Sequence, residues 1–127
     1  MSSNQAPDKY GSFRALSASE VEDIDFSIAL FQRNSSVAIL APHGGWIEPT
    51  TSEITAAIAA DRYSLYLFEG LKQARPHSDL HITSIKFDEP KAVNLVVASA
   101  TVITVHGRAD GTDPYTVYVG GRDKALA

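Results

Sequence analysis

The chain contains no cysteine among its 127 residues. Without thiols it can form neither a disulfide framework nor a thiolate zinc site, so any metal would have to be bound by His, Asp or Glu. No apolar run approaches the roughly 18 residues that a membrane-spanning helix needs. The polar start of the chain also lacks the charged and apolar regions of a signal peptide. These absences predict a soluble protein in the cytoplasm, with no membrane partner.

Positive charge is also scarce, with 11 Lys and Arg against 15 Asp and Glu and a formal net charge of −4. Nucleic-acid binding needs clustered basic residues that neutralise phosphates, and the basic residues here are scattered, so no nucleic-acid partner is expected. The length and the 44% hydrophobic content predict one globular domain. We place this domain at residues 10–127 and a flexible, polar lead-in at residues 1–9.

Apolar and β-branched runs alternate with helical patterns along the chain. Strands are predicted for five segments, 37–41, 63–68, 80–85, 101–105 and 115–119. Helices are predicted for two to three turns from Ser52 and for residues 91–100, with Pro90 at the start of the second. This alternation predicts an α/β fold with a central mixed, partly parallel sheet and flanking helices.

The segment His43-Gly-Gly-Trp-Ile-Glu48 places an imidazole and a carboxylate in a loop after the predicted strand 37–41, which is expected to end at Pro42. α/β proteins tend to bind ligands in such loops. Catalytic zinc commonly takes two nitrogens and one carboxylate oxygen and leaves a fourth position open. His43 and Glu48 would supply two of the three ligands, although Glu48 could equally be a salt-bridge partner.

Two histidines can supply the third ligand. His106 follows the predicted strand 101–105, so its side chain can point over the sheet edge towards the first loop, whereas His81 begins its strand and could lie at the other edge. The position favours His106, although a buried neutral histidine is the alternative interpretation. His77 lies in a polar loop and is expected to be an ordinary surface residue.

Five ordered sequence blocks resemble a known family: APHGGWIEPTTSEI (41–54), FEGLK (68–72), LHITSIKFDEP (80–90), TVITVHG (101–107) and VYVGGRD (117–123). In this order and spacing they resemble the phage-type poly-γ-glutamate hydrolases, which are also described as phage-related replication proteins. The resemblance covers about residues 8–124. It implies a fold like that of the zinc metallocarboxypeptidases and one zinc ion (Zn2+) held by His43, Glu48 and His106.

The resemblance also implies cleavage of γ-glutamyl amide bonds in poly-γ-glutamate or another acidic peptide. The C-terminal part of that fold is not expected within residues 1–127, and the family's general-base glutamate is expected beyond residue 127, so no catalytic residue is predicted in this chain. His81, Thr83 and Ser84 fall in a family block and are assigned to the substrate site, although a hydrogen-bonded polar pair at a strand edge is the alternative. Arg108 is a candidate cationic anchor, as are Arg122, Lys72 and Lys86, and the alternative for each is a solvated surface charge. Two positions depart from the family pattern, because Trp46 and Thr50 stand where glycine is usual.

Three functions stay open on this basis. The first is a zinc-dependent amidohydrolase, and the second is a zinc-binding module that binds an acidic peptide or polymer without cleaving it. The third is an interaction protein without a metal. Association into oligomers could cover an exposed sheet edge. If a phage encodes the protein, it would leave the cytoplasm on host lysis.

Overall fold

The structure is a computed structural model that describes residues 7–108, 113–123 and 125–126. Its strands are β1 (Phe26–Phe31), β2 (Val37–Gly45), β3 (Ser64–Gly70) and β4 (Thr101–Thr104), and its helices are α1 (Phe13–Ser17), α2 (Thr51–Ala59), α3 (His77–Leu80) and α4 (Pro90–Ala98), with a 3-10 turn at Ser84–Lys86. The sheet order is β1-β3-β2-β4. β2 runs parallel to β3 and β4, and β1 is antiparallel to β3. The predicted mixed, partly parallel sheet with flanking helices is confirmed.

The apolar side chains of the central strands alternate between the two faces of the sheet. Leu40 and Phe68 belong to the larger core, which also takes in Leu95 of α4, while Ile39 packs with Ala59 of α2 in a second core. Helices therefore cover both faces. α2 and α4 have nine residues each, and no helix in the described part of the chain is long and apolar enough to cross a membrane.

A buried polar pair joins β3 to the start of α4. The Tyr66 hydroxyl donates a hydrogen bond to the Glu89 carboxylate at 2.7 Å. The same carboxylate accepts from the backbone N–H groups of Lys91 and Ala92 at 3.1 and 3.2 Å, and so caps α4. Burial and the hydrogen bond to Glu89 raise the pKa of Tyr66 above its usual value. Glu89 thus has a structural role, because it connects α4 to the sheet.

The predicted strand 80–85 is wrong. α3 ends at Leu80, and the 3-10 turn begins at Ser84. The intervening backbone is bonded by side chains instead of by a neighbouring strand: the Ile82 carbonyl oxygen accepts from His43 Nε2 at 2.7 Å, and the Thr83 N–H donates to Asp8 at 2.7 Å. These bonds satisfy the backbone groups that a sheet would otherwise pair.

The predicted strand 115–119 is also wrong, because residues 116–120 form no regular element. Tyr115 and Val117 are 93% and 84% exposed. β-branched and aromatic residues form strands when a sheet edge and a packing surface are available, and in the described residues β4 pairs with β2 alone. Conversely, α1 and β1 were not predicted, although the alternation of Phe26, Ile28 and Leu30 with smaller residues is typical of a strand.

β2 continues past Pro42 to Gly45 instead of ending at the proline. The pairing of β2 with β3 shifts register between Ala41 and Gly44, so Pro42 lies in the irregular part, where its missing N–H removes no ladder bond. Gly45 has a φ of +62°, and a Cβ there would lie 2.3 Å from the carbonyl oxygen of Gly70. Glycine is therefore required where the chain turns from β2 towards Glu48.

Candidate metal centre

All four histidines of the chain gather around one carboxylate, that of Glu48. The ring centroids of His43 and His81 are 3.9 Å apart, those of His43 and His106 are 5.1 Å apart, and those of His77 and His81 are 4.3 Å apart. Within the described residues they form two groups that could hold a metal ion, one with His43 and His106 and one with His77 and His81, and Glu48 belongs to both.

His43 lies on β2, is 2% exposed, and has a fixed tautomer. Its Nε2 is 2.7 Å from the Ile82 carbonyl oxygen. Because a carbonyl can only accept, Nε2 carries the proton and Nδ1 keeps a free lone pair. A backbone carbonyl of this kind is a frequent outer partner of metal-binding histidines. The sequence therefore places an acceptor nitrogen of known orientation at the end of a buried strand.

Glu48 lies in the turn after β2, and its backbone N–H donates to the His43 carbonyl at 2.9 Å. The Glu48 Oε1 accepts from the backbone N–H of Gly107 at 2.9 Å. A Cβ at Gly107 would lie 3.2 Å from the Glu48 Cβ, so the glycine permits this approach. Thr51 also holds the turn, since its hydroxyl donates to the Glu48 carbonyl at 2.8 Å. The Gly107 N–H thus orients the carboxylate, while His43 and Thr51 hold the backbone of Glu48.

His106 lies beyond β4 and brings its Nδ1 to the same point. The His43 Nδ1 is 3.3 Å from the Glu48 Oε1 and 3.2 Å from the His106 Nδ1, and the third side, from His106 Nδ1 to Glu48 Oε1, measures 3.8 Å. Ligand atoms on a tetrahedral zinc ion lie roughly 3.3 Å apart. A carboxylate oxygen and ring nitrogens at these distances repel one another unless a proton or a metal cation lies among them. The three side chains predicted as ligands therefore meet in an arrangement that fits a metal ion.

The carboxylate of Glu48 is held in its charged form. Burial alone would raise its pKa, but the neighbouring rings of His106 and His43 and the hydrogen bond from the N–H of Gly107 outweigh burial, and the pKa lies well below its usual range. An ionised carboxylate is the form that ligates metals.

His81 contributes more to the cluster than its predicted place at a strand start suggested. Its Nδ1 is 2.7 Å from the Asp8 Oδ1, and its Nε2 is 3.8 Å from the Glu48 Oε2. Burial and the nearby His43 lower the pKa of His81, although the hydrogen bond to Asp8 acts in the opposite direction. Asp8 was not identified from the sequence, because it falls in the predicted flexible lead-in 1–9. Residues 1–6 of this lead-in lie outside the described residues. Asp8 is described, and its bond to His81 holds it in place.

The expectation that His77 is an ordinary surface residue is wrong. Its Nδ1 donates to the Ile47 carbonyl at 3.0 Å, and its Nε2 is buried without a hydrogen-bond partner. One sequence feature does indicate a role for His77 in the cluster: it lies four positions before His81, a spacing that can bring two imidazoles together. His77 is half-buried because it packs against Ile47 in the turn after β2, a contact that local sequence does not reveal.

Three of the four residues assigned to the substrate site, Thr83, Ser84 and Arg108, are exposed, and His81 is half-buried. The Thr83 hydroxyl donates to Asp8 at 2.8 Å. The Ser84 side chain is exposed, and its Oγ is 3.4 Å from the His106 Nε2. Arg108 is exposed, with its guanidinium carbon 4.1 Å from the centre of the Tyr118 ring. Ser84 therefore lies beside His106, Thr83 is bonded to Asp8, and Arg108 contacts Tyr118.

The sequence matches known proteins along its length. Residues 10–127 match the sequence profile of the family described as poly-gamma-glutamate hydrolase. The UPF0714 protein YndL of Bacillus subtilis (strain 168) is 41% identical over 127 residues, which make up 100% of this chain and 48% of YndL. The SPbeta prophage-derived UPF0714 protein YoqZ of the same strain is 42% identical over 122 residues, or 96% of this chain and 43% of YoqZ. This chain spans about half the length of the curated relatives that it matches.

Two solved structures share the fold. Zinc-free apo YndL superposes with a TM-score of 0.70 at 43% identity, over 76% of this chain and 46% of that chain. A bacteriophage poly-gamma-glutamate hydrolase superposes with a TM-score of 0.70 at 33% identity, over 76% of this chain and 47% of that chain. Together with the family profile and the relatives at about 40% identity over the whole chain, these matches show that the chain belongs to the poly-gamma-glutamate hydrolase family.

Proposed function

We propose that this chain carries the zinc-binding part of a hydrolase that cleaves γ-glutamyl amide bonds. The observation that supports this most is the triangle of His43 Nδ1, Glu48 Oε1 and His106 Nδ1, whose sides are 3.2 to 3.8 Å. Family membership supports the substrate class. A related structure described as zinc-free supports zinc as the metal, and a donor set of two imidazoles and one carboxylate suits zinc.

His43, Glu48 and His106 would hold the ion. When bound, zinc supplies Lewis acidity, which activates water and polarises an amide carbonyl. The chain's own contribution is to keep the ligands in the required form. The Ile82 carbonyl fixes the His43 tautomer, and the Gly107 N–H orients the Glu48 carboxylate. These outer contacts keep the three ligand atoms together before an ion arrives.

The general base would come from a region that the longer relatives have and that residues 1–127 do not cover. Besides the ligand Glu48, three glutamates lie in the family blocks of the chain. Glu89 is buried and bonded to Tyr66, and Glu53 is exposed on α2, while Glu69 lies on β3. None of the three belongs to the groups around Glu48 that could hold a metal. Because positioned proton transfer contributes about 10²–10⁴-fold, residues 1–127 alone should hydrolyse the polymer that much more slowly than a full-length relative.

The acidic polymer would approach from the side of Ser84 and Arg108. A guanidinium can bind a carboxylate with two hydrogen bonds, which suits a chain of glutamate side groups. His81 and Thr83 would help to shape the site through their shared partner, Asp8. That the protein is made in the cytoplasm also stays a prediction.

Zinc content tests the ligand assignment. The amide nitrogen of glutamine can replace Nε2 of histidine as a donor but cannot replace Nδ1 as a ligand. His43→Gln therefore keeps a donor for Ile82 and should lower the zinc content by one ion per chain, as should His106→Gln. Glu53→Gln, which changes an exposed carboxylate, is the matched control and should lose none. Unchanged zinc content in both histidine variants would disprove the assignment.

Polymer length against time tests the activity. Zinc-loaded chain is incubated with poly-γ-glutamate and, in parallel, with α-linked polyglutamate, and the bacteriophage hydrolase serves as positive control. Slow shortening of the γ-linked polymer alone, lost in His106→Gln, is the expected result. Binding of the γ-linked polymer without any shortening would favour the non-cleaving module instead. Equal shortening of both polymers would contradict the proposed substrate class.

A further inference from the structure

We propose that the chain binds a second divalent cation of the zinc type, between His77, His81 and the second carboxylate oxygen of Glu48. Ligand-type atoms of these three residues lie within 4.8 Å of one another. The group is separate from His43 and His106, and it shares Glu48 alone with the site described above. The inference does not require the chain to be a hydrolase.

The unpartnered nitrogen of His77 is the first observation. The Ile47 carbonyl, 3.0 Å from Nδ1, can only accept, so Nδ1 carries the proton and Nε2 keeps its lone pair. This Nε2 is buried and has no hydrogen-bond partner. A buried acceptor without a partner destabilises the folded protein. A bound cation would remove that penalty.

His81 has the same tautomer for a similar reason. Its Nδ1 is 2.7 Å from the Asp8 carboxylate, which fixes the proton on Nδ1 when the ring is neutral. Its Nε2 lone pair then faces the Glu48 Oε2 at 3.8 Å. Such a carboxylate behind an imidazole is a common outer partner of metal-binding histidines. Both rings are thus fixed with Nδ1 as donor and Nε2 as acceptor.

Glu48 divides its two oxygens between the two groups. Oε1 accepts from Gly107 and contacts the Nδ1 atoms of His43 and His106, whereas Oε2 faces His81. A carboxylate shared in this way can bridge two ions, and ions in two-metal sites lie about 3.5–4 Å apart. Two imidazoles and a carboxylate favour Zn²⁺ or a similar transition metal over Mg²⁺ or Ca²⁺, which prefer all-oxygen sites.

The competing explanation is a buried water that bonds to His77 Nε2. A water needs two to four polar partners, and Glu48 and His81 could serve. The two explanations differ in metal stoichiometry. A cation should be lost when either Nε2 is removed, whereas a water adds no zinc to the protein.

The experiment uses variants that remove one ring nitrogen and keep the other. The amide nitrogen of asparagine can replace Nδ1 of histidine, so His77→Asn and His81→Asn keep a donor for Ile47 and Asp8 but lose Nε2. Chelator-treated chain is dialysed against micromolar free Zn²⁺ at neutral pH, and bound zinc is measured per chain. The wild type and the control Glu53→Gln should bind two ions, and His77→Asn and His81→Asn should each bind one. His106→Gln should also keep one, and the double variant His106→Gln/His77→Asn should keep none.

Other outcomes separate this proposal from the proposed function. One zinc per wild-type chain, lost in His106→Gln and kept in His77→Asn and His81→Asn, would overturn the second site and leave the first intact. Two ions in the wild type that both survive His77→Asn and His81→Asn would also overturn it. One zinc that is lost in His77→Asn but kept in His106→Gln would support the second site and contradict the first.

Discussion

Two regions differ in how far the rest of the chain contacts them. The histidine cluster consists of the four histidines around Glu48, and the β4 flank consists of Ile85, Val93, Val97 and Thr104. In the cluster, nearly every polar atom has a partner from a distant segment, as with the Asp8 carboxylate on His81. On the β4 flank, Ile85 and Val97 are 91% and 81% exposed. The cluster therefore depends on long-range contacts within this chain, whereas the described residues leave the flank uncovered. Changes in the first region should affect stability and metal binding, and changes in the second should barely affect folding.

The largest effect should come from the turn that presents Glu48. Gly45→Val adds a side chain to a residue with positive φ and places its Cβ 2.3 Å from a backbone oxygen. The left-handed conformation costs about 1–2 kcal/mol and overpacking about 1–3 kcal/mol, so we expect a loss of about 2–5 kcal/mol in the free energy of unfolding. Urea denaturation measures it. At Gly11 an added Cβ meets nothing within 4 Å, and Gly11→Ala should change stability by less than about 0.5 kcal/mol. Equal losses in both variants would contradict this account of the turn.

Zinc should stabilise the cluster next most strongly. An ion that binds only the folded state adds about 4 kcal/mol at a free concentration 1,000 times its Kd. Histidines must be neutral to ligate, so this gain should shrink in mild acid. Thermal melts with and without chelator at neutral and mildly acidic pH measure it, with His106→Gln as the variant that should lose part of the gain. A chelator effect of the same size at both pH values would speak against metal binding through histidine.

Without metal, the cluster should still make stability depend on pH. The folded-state pKa of His81 is lowered, so the folded chain binds fewer protons than the unfolded chain, and stability falls as the pH drops through the unfolded value of about 6.5. The lowered pKa values of Glu48 and Asp8 act in the same direction below about pH 4. Urea unfolding in chelator, from mildly alkaline to mildly acidic pH, should show the first loss, and His81→Asn should reduce it. An unchanged pH profile in that variant would assign the loss to another group.

Sequence predicted the parts of this molecule that local pattern determines. β2 and β3 are apolar runs buried on both faces, and α4 begins with a proline, so the sequence predicts all three. The strand predicted for 80–85 is wrong because the backbone of this segment bonds to side chains as far as 75 positions away, such as Asp8. The same reason applies to His77, because its bond to the Ile47 carbonyl is also a contact between distant segments. These contacts form only when the chain folds, so no local sequence pattern indicates them.

A smaller effect, with the opposite sign, is expected at Thr50. This residue has a φ of +78°, which is unfavourable for a β-branched side chain, and it stands where the family resemblance implies glycine. Thr50→Gly should remove left-handed strain of about 1 kcal/mol and stabilise the chain by up to that amount. Thr51→Gly is the matched control and should destabilise, because the Thr51 hydroxyl holds the Glu48 carbonyl. Destabilisation by Thr50→Gly would show that its side chain contributes more than the strain costs.

The smallest effect on folding is expected on the β4 flank. Val97 is 81% exposed on α4, so Val97→Ser removes little buried area and should change the free energy of unfolding by less than about 0.5 kcal/mol. Leu95 on the same helix is 3% exposed, and Leu95→Ser should cost about 2–5 kcal/mol because it opens a cavity in the larger core. Exposed apolar patches promote association, so Val97→Ser should also lower any self-association, as measured by sedimentation velocity over a range of concentrations. If Val97→Ser destabilised the monomer as much as Leu95→Ser, the flank would be part of the core, and the contrast between the two regions would fail.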